Sequence, residues 1–283
     1  MVVTPVRDEA ALVGRTIDSV AAQELRPAEW VLVDDGSTDG TAAVLDRRAA
    51  EHDWIRVVHR ADRGARVAGS GVMEAFHAGL EVLETADWHY LVKLDADLVL
   101  PPDYFSRCLA RAEADPGLGV VGGLVVDRDA GAARLERHPG FHVRGATKIY
   151  ARACWEAIGG TVAAPGWDTL DEVTANHLGW RTRTFDDVVA VQQRLTGGPV
   201  GRWNDVAKNG RASYRLGYHP AFVLARAVRK LSQPPRLTSA AALVWGYASA
   251  ALTHAEPVGA PEVRRYLRRQ QLDRLRGRPS IWR

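Results

Sequence analysis

Short apolar runs that stop at acidic or glycine-containing turns, with helically patterned stretches between them, set the tightest limit on what this chain folds into. Val2-Val3 ends at Thr4-Pro5, Trp30–Val33 ends at Asp34-Asp35-Gly36, and Tyr90–Leu94 ends at Asp95-Ala96-Asp97. Between them Val13, Ile17 and Val20 fall at i, i+4 and i+7, a second helix is predicted over Ala42–Ala50, and Val72, Phe76, Leu80 and Leu83 trace a third helical face. Ile55–Val58 reads as a further strand. This alternation predicts an α/β fold with a mostly parallel central sheet flanked by helices, whose ligand sites lie beyond the C-terminal strand ends. Leu118–Val126 and Thr147–Tyr150 extend the sheet, Arg152–Ile158 reads as a helix stopped by Gly159-Gly160, and beyond residue 190 the pattern changes to helix and loop.

With 283 residues, 46% hydrophobic and 25% charged, the chain buries a sizeable core without metal or disulfide staples. Its two cysteines, Cys108 and Cys154, form no Cys-x-x-Cys or Cys/His cluster, which argues against structural zinc and for reduced thiols in a cytosolic compartment. The start, MVVTPVRDEAALVG, has no basic segment followed by an apolar one, so no signal peptide is expected. The longest uncharged run, Leu237–Leu252, falls short of the roughly 18–20 apolar residues that cross a bilayer. Charge is unevenly placed. From Arg226 onward twelve Lys and Arg face three Asp and Glu, a local +9 that leaves −6 on the first 225 residues of a chain whose total is +3.

Three acidic sites follow strand ends or lie in the loops beyond: Asp34-Asp35, Asp95 with Asp97, and Asp168 with Asp171-Glu172. Each also has an ordinary explanation. Asp-Gly-Ser-Thr-Asp-Gly suits a turn in which Asp39 or Thr41 caps the next helix, and an acidic first turn suits the helix dipole. Several carboxylates repeated at one sheet edge are costly to desolvate unless a cation or ligand compensates. Carboxylate oxygens without clustered Cys or His suit Mg²⁺ or Mn²⁺ completing its shell with phosphate oxygens, which points to a nucleotide-diphosphate ligand. The Arg63–Gly71 loop adds Arg63 and Arg66 before a helix start, although it lacks the Gly-Lys-Ser/Thr of a P-loop.

Taken in succession, Thr4-Pro5 with Arg7-Asp8-Glu9, Val33-Asp34-Asp35-Gly36-Ser37-Thr38-Asp39-Gly40-Thr41, Leu94-Asp95-Ala96-Asp97 and Gly166-Trp167-Asp168-Thr169-Leu170-Asp171-Glu172 followed by Gly179-Trp180 resemble the signatures of family 2 glycosyltransferases with the GT-A fold. The resemblance covers about residues 1–195. It implies a nucleotide-sugar half over about 1–110, an acceptor half over 111–195, and a basic helical C-terminal extension over 196–283. Thr4, Pro5 and Glu9 would line the nucleotide pocket, Asp35 would accept from the base, uracil, with Asp34 close by, and Arg66 would sit near the diphosphate. Asp95 and Asp97 would be the DxD pair, with Asp97 on the metal and Asp95 at the ribose or the metal's water shell. Asp171 would be the catalytic base of an inverting transfer. Trp167, Asp168 and Glu172 would be weaker, acceptor-side residues: Trp167 would contact the acceptor, Asp168 would bind it or brace the loop, and Glu172 would support Asp171 or start the helix Val173–His177.

The same resemblance marks departures. Relatives often carry a metal-completing His in the segment that here reads Val191-Gln192-Gln193-Arg194-Leu195-Thr196-Gly197, and the QxxRW motif of processive synthases is not reproduced, which favours single-sugar addition. His138 and His142 read as solvated loop residues and Lys148 as a sheet-edge lysine. In the extension, Arg226, Arg229 and Lys230 and later Arg264, Arg265, Arg268 and Arg269 sit beside apolar positions. That suits either anionic lipid headgroups, and with them a lipid-linked acceptor, or packing on the acidic body. No nucleic-acid-binding module is recognised. The expected protein is a cytoplasmic transferase, peripheral at the inner membrane face, that moves a sugar to a glycan or lipid-linked acceptor of cell-envelope or exopolysaccharide synthesis. The rivals are a catalytically silent sugar-nucleotide binder and a nucleotidyltransferase of related fold, for which the Gly-rich loop with Lys after the first strand is missing.

Overall fold

The computed structural model describes residues 1–64, 70–129, 132–135, 138–193, 202–232 and 235–282. Its elements in chain order are β1 (Val2–Val6), α1 (Val13–Ala21), β2 (Trp30–Asp34), α2 (Thr41–Ala49), β3 (Ile55–His59), α3 (Ser70–Glu81), β4 (Tyr90–Leu94), β5 (Leu98–Val99), α4 (Tyr104–Ala114), β6 (Leu118–Asp129) and β7 (Ala132–Leu135). There follow β8 (Thr147–Ala151), α5 (Arg152–Ile158), α6 (Trp167–His177), β9 (Arg181–Gln192), α7 (Arg202–Arg215), α8 (Pro220–Lys230), α9 (Arg236–Leu252) and α10 (Pro261–Leu275). Among the described residues the strands form one sheet in the order β3-β2-β1-β4-β8-β6-β9-β5, with β7 paired to β6.

The expected α/β class holds, and the sheet is more mixed than the alternation predicts. β3, β2, β1 and β4 are parallel, as are β6 and β9, whereas β8 runs antiparallel to both β4 and β6. The first crossovers carry the chain from β1 outward to β3, and α3 returns it to β4 on the other side of β1. The strand order therefore reverses at β1, the point beyond whose C-terminal strand ends open α/β sheets place their ligands. Two-sided burial accounts for the apolar runs: Val3, Val31, Val33 and Leu91 face one layer while Val2, Val6, Trp30, Leu32 and Leu94 face the other, all essentially inaccessible.

The C-terminal helices form a second apolar cluster, in which Leu216, Tyr218, Phe222, Val223, Leu243, Val263 and Leu267 pack with Leu170 and Val173 of α6. α7 and α9 cross closely enough that a Cβ on Gly246 would lie 2.0 Å from the Ala207 carbonyl, so only glycine fits. Cys108 and Cys154 are buried and unbridged. No helix among the described residues is long and apolar enough to cross a membrane.

Candidate functional site

The ends of β1, β2 and β4 come level around the switch point, and the loops beyond them carry the donor-side residues. Asp34 serves the turn itself: its Oδ1 accepts from the Ser37 amide at 3.0 Å and its Oδ2 faces His59 Nδ1 at 3.0 Å. These bonds to Asp34, with Asp46 on the other ring nitrogen, raise the His59 pKa. Gly36 makes the turn with φ +73°, and a side chain there would meet the Asp62 backbone at 2.4 Å. Asp35 is buried, with Arg60 Nη1 donating to Oδ1 at 2.6 Å and Arg63 donating to Oδ2. Arg7 donates to the Asp35 carbonyl and, at 2.7 Å, to Asp62. Glu9 is buried and its amide donates to Thr41 Oγ1, which ties the loop after β1 to the start of α2. Pro5 lies in register with Val33 near the ends of these strands. Thr4 departs from the expected role: its hydroxyl is fully buried and accepts from Trp30 Nε1 at 2.9 Å, so the side chain faces the core. Arg66 lies outside the described residues.

Asp95 and Asp97 follow β4, and each carboxylate already meets a donor. Lys93, a lysine inside the apolar strand, donates to Asp95 Oδ1 and, at 2.6 Å, to the Gly145 carbonyl. Gln192 Nε2 lies 3.2 and 3.3 Å from the two Asp97 oxygens, and its Oε1 accepts from Arg144 Nη2 at 2.9 Å. Arg144 also donates to the buried Asp127 at 2.6 Å. The guanidinium fixes which way the amide points, so Gln192 presents N–H rather than oxygen toward Asp97. The Gln193 side chain turns away and accepts from Arg15 at 3.1 Å, while its backbone amide donates to the Asp97 carbonyl at 2.8 Å. No group of three or more His, Cys, Asp or Glu that could hold a metal occurs among the described residues. Two carboxylates fit a hard cation that draws the rest of its shell from a diphosphate, and do not by themselves form a closed protein cage.

The acceptor side is built on α6. Lys148 on β8 is fully buried, 2.8 Å from both Asp171 and Glu172, and donates to the Asp168 carbonyl. Tyr150 Oη donates to Asp171 Oδ2 at 2.5 Å, and the Glu172 amide donates to Asp171 Oδ1 at 2.7 Å. Glu172 accepts from the Val143 amide at 2.7 Å and meets His142 Nδ1 at 2.9 Å. Burial, opposed by Lys148, pushes the Asp171 carboxyl up to about 7. Four sequence expectations change here. Asp171, expected as the base, is 3% exposed with both oxygens occupied, and Glu172 is likewise enclosed. His142 is an ion-pair partner rather than a solvated loop residue, and Lys148 lies on an interior strand. The half-buried carboxylate of this helix is Asp168, in its first turn.

Trp167 joins the two sides. Its ring is buried, with Lys93 Nζ 5.4 Å and Lys148 Nζ 5.3 Å from its centroid. The ring that was expected to contact an acceptor instead lies buried within cation–π distance of the ammonium groups of these two cross-strand partners. Both lysines carry a signal in sequence, a charge inside an apolar strand run; Arg144 and Asp127, far apart in the chain, carry none.

The profile of the family described as Glycosyl transferase family 2 matches residues 1–163. The polyprenol monophosphomannose synthase of Mycolicibacterium smegmatis is 34% identical over 91 residues, 32% of either chain. The undecaprenyl-phosphate 4-deoxy-4-formamido-L-arabinose transferase of Pseudomonas fluorescens is 34% identical over 127 residues, 44% of this chain and 33% of that one. These matches span about a third of the length of the curated relatives. Among solved structures, mannosyltransferase PcManGT from Pyrobaculum calidifontis in complex with GDP-Man and Mn²⁺ superposes with a TM-score of 0.55 at 22% identity, covering 98% of this chain and 87% of that one. S. aureus TarS 1–349 in complex with UDP-GlcNAc superposes with a TM-score of 0.58 at 15% identity, covering 98% and 91%. At such identities the structures establish a shared fold.

Proposed function

The chain belongs to glycosyl transferase family 2 and has the GT-A fold, and from that premise we propose that it transfers a sugar from a nucleotide-diphospho-sugar to an acceptor hydroxyl with inversion. The observation that carries this reading is the contact path from Asp95 through Lys93 and Trp167 to Lys148 and the first turn of α6, which couples the donor-side turn to the helix bearing Asp168. Asp35 would read the base through a carboxylate oxygen shared with Arg60 or Arg63, since a carboxylate oxygen accepts more than one hydrogen bond and the imide N–H of uracil donates one. We take a UDP-sugar as the donor; thymine and guanine offer a similar N–H, and the thermal shifts with UDP-, GDP- and dTDP-sugars separate the three. The relatives in Mycolicibacterium and Pseudomonas are named for polyprenyl phosphates, whose attacking oxygen is already ionised; a hydroxyl acceptor that needs a base is instead a glycan or a lipid-linked glycan.

Asp97, with Asp95 beside it, would hold Mg²⁺ or Mn²⁺, which would neutralise charge developing on the leaving diphosphate. Asp168 takes the proton of the acceptor hydroxyl as the oxygen attacks the anomeric carbon from the face opposite the diphosphate. The bond to the diphosphate breaks as the new glycosidic bond forms, so no covalent sugar–enzyme intermediate is needed. Asp171 braces the helix that carries Asp168; the base role expected of it passes to the carboxylate that is not enclosed. A second reading, a sugar-nucleotide binder that does not turn over, is favoured by the Gln192 N–H groups on Asp97.

Thermal-shift measurements with UDP-, GDP- and dTDP-sugars, with and without Mn²⁺, test the donor side. The largest shift is expected with a UDP-sugar plus metal, and Asp97→Ala should remove the metal dependence; a metal-dependent shift that survives this substitution takes Asp97 out of the metal role. Nucleoside diphosphate release in the presence of a pool of glycan and lipid-linked glycan acceptors separates the readings. Release that falls roughly 10²–10⁴-fold in Asp168→Asn, the range of a general base, with donor binding retained, supports transfer. Donor that binds and is never consumed supports the binder.

A further inference from the structure

The helical extension leaves an apolar face uncovered on each of two neighbouring helices. On α9, Leu237, Ala241, Val244, Trp245 and Leu252 fall on one side, at i, i+4, i+7, i+8 and i+15, while Ala242, Leu243, Gly246 and Ala250 on the other side are buried. Leu237 and Leu252 are each 76% exposed and Trp245 57%. No charged residue lies between Leu237 and Leu252. α8 packs against α9 and repeats the pattern. It buries Phe222, Val223 and Ala227 and turns Leu224, Val228 and Leu231 outward at i, i+4 and i+7, with Val228 65% exposed. Single exposed leucines are ordinary; a complete apolar face on each of two adjoining helices marks an interaction surface.

We propose that the α8–α9 face docks on an anionic bilayer surface, with both helices lying in the plane of the headgroups. Charge selects this occupant. Residues 226–283 carry +9, and Arg229 is exposed in the last turn of α8, beside the outward stripe. An apolar helical face flanked by cations is the arrangement that lies in an anionic interface. Trp245 suits the same place, because an indole is apolar over its ring and polar at its N–H. A second copy of the chain fits less well, since a two-fold contact would bring two +9 extensions together. The docking face also differs from the one that the arginine pattern suggests. Arg226 lies over the Tyr218 ring and donates to Ser213, Arg268 donates to the Gly217 carbonyl, and Arg264 Nε is buried. These three arginines make their contacts inside the extension, whereas the apolar stripe is uncovered and has the exposed Arg229 beside it.

Co-sedimentation of the full chain with phosphatidylcholine vesicles, with and without phosphatidylglycerol, tests the proposal. It is read without donor or acceptor, so its failure leaves the transfer reaction standing. Binding is expected to the phosphatidylglycerol vesicles, to weaken with salt, and to fall at least roughly tenfold in Leu237→Asp/Leu252→Asp and in Leu224→Asp/Val228→Asp. The melting temperature and the nucleotide-sugar thermal shift of both variants should match the wild type, because the substituted side chains are exposed. Variants that bind as the wild type does, or a wild type that binds neither vesicle, would overturn the proposal. So would a concentration-dependent dimer, seen by light scattering without vesicles, that the same substitutions abolish.

Discussion

Lys148 has two carboxylates at 2.8 Å and no solvent, and one ammonium cannot balance both. The remaining charge falls to His142 on the far side of Glu172: burial opposes its protonation, and the attraction of Glu172 outweighs that, so its pKa rises above the ordinary value. Removing one member of a buried ion pair typically costs about 3–5 kcal/mol, because the other is left uncompensated. Lys148→Met should therefore lower the unfolding free energy by about that amount in urea titration. The pH dependence has a definite sign. A group whose pKa is raised on folding contributes stability that is complete below its unfolded pKa and lost as the pH climbs through the folded one. For Asp171 that loss runs from about 4 up to about 7, and for His142 it begins near 6.5. The stability advantage of the wild type over His142→Gln should thus shrink as the pH rises above about 6.5; an advantage that grows instead would contradict the ion-pair assignment. Gln192 makes a separate test. Gln192→His removes the N–H that Arg144 directs onto Asp97 and offers an imidazole nitrogen instead, a better ligand for Mn²⁺. Mn²⁺ titration without nucleotide should show tighter binding in the variant.

The elements that the sequence makes legible are those whose pattern is local. Val13, Ile17 and Val20 lie in α1, Trp30–Val33 in β2, and Arg152–Ile158 coincides with α5, stopped at Gly159 with φ +71°. β9 stays hidden because it alternates buried and exposed residues through Arg181, Arg183, Asp186 and Asp187, and its partner β6 lies far back in the chain. The antiparallel insertion of β8 is hidden for the same reason, and with it the burial of Lys148. The donor-side carboxylates are legible because each sits at a strand end or within three residues of one; the Arg144–Gln192 contact is not, because it joins residues brought together only by the sheet. Close helix crossing has no pattern at all. The smallness of Gly246 reads as a weakness in α9, and the structure shows it as the point where α7 passes. Gly246→Ala places a methyl against the Ala207 backbone, which cannot yield as a flexible side chain can. A loss of about 1–3 kcal/mol is the usual cost of such overpacking, although alanine favours helix over glycine by about 1 kcal/mol. Net destabilisation in thermal or urea unfolding is the expected result.

At the scale of the molecule, the charge asymmetry suggests a body and a tail, while the packing joins them. Leu170 and Val173 of α6 sit in one apolar cluster with Leu216, Phe222, Val263 and Leu267, Trp282 packs on Phe141 with ring centroids 5.0 Å apart, and a Cβ on Gly259 would strike Leu170 at 2.6 Å. The helix that carries Asp168, Asp171 and Glu172 is therefore held from one side by Lys148 and from the other by the extension. A split near residue 195, where the helical pattern takes over, would uncover that second side. Each fully buried large apolar side chain contributes roughly 1.5–3 kcal/mol, so exposing Leu170 and Val173 together removes several kcal/mol, a large share of the ~5–15 kcal/mol that holds a domain folded. The full chain is expected to unfold in a single transition, monitored alike by far-ultraviolet circular dichroism and tryptophan emission. Residues 1–195 alone should melt well below it and lose Asp168-dependent nucleoside diphosphate release before they lose donor binding, since α6 loosens while the β1–β2–β4 edge is intact. Two separated transitions in the full chain, the first leaving release unchanged, would instead make the extension an independent unit.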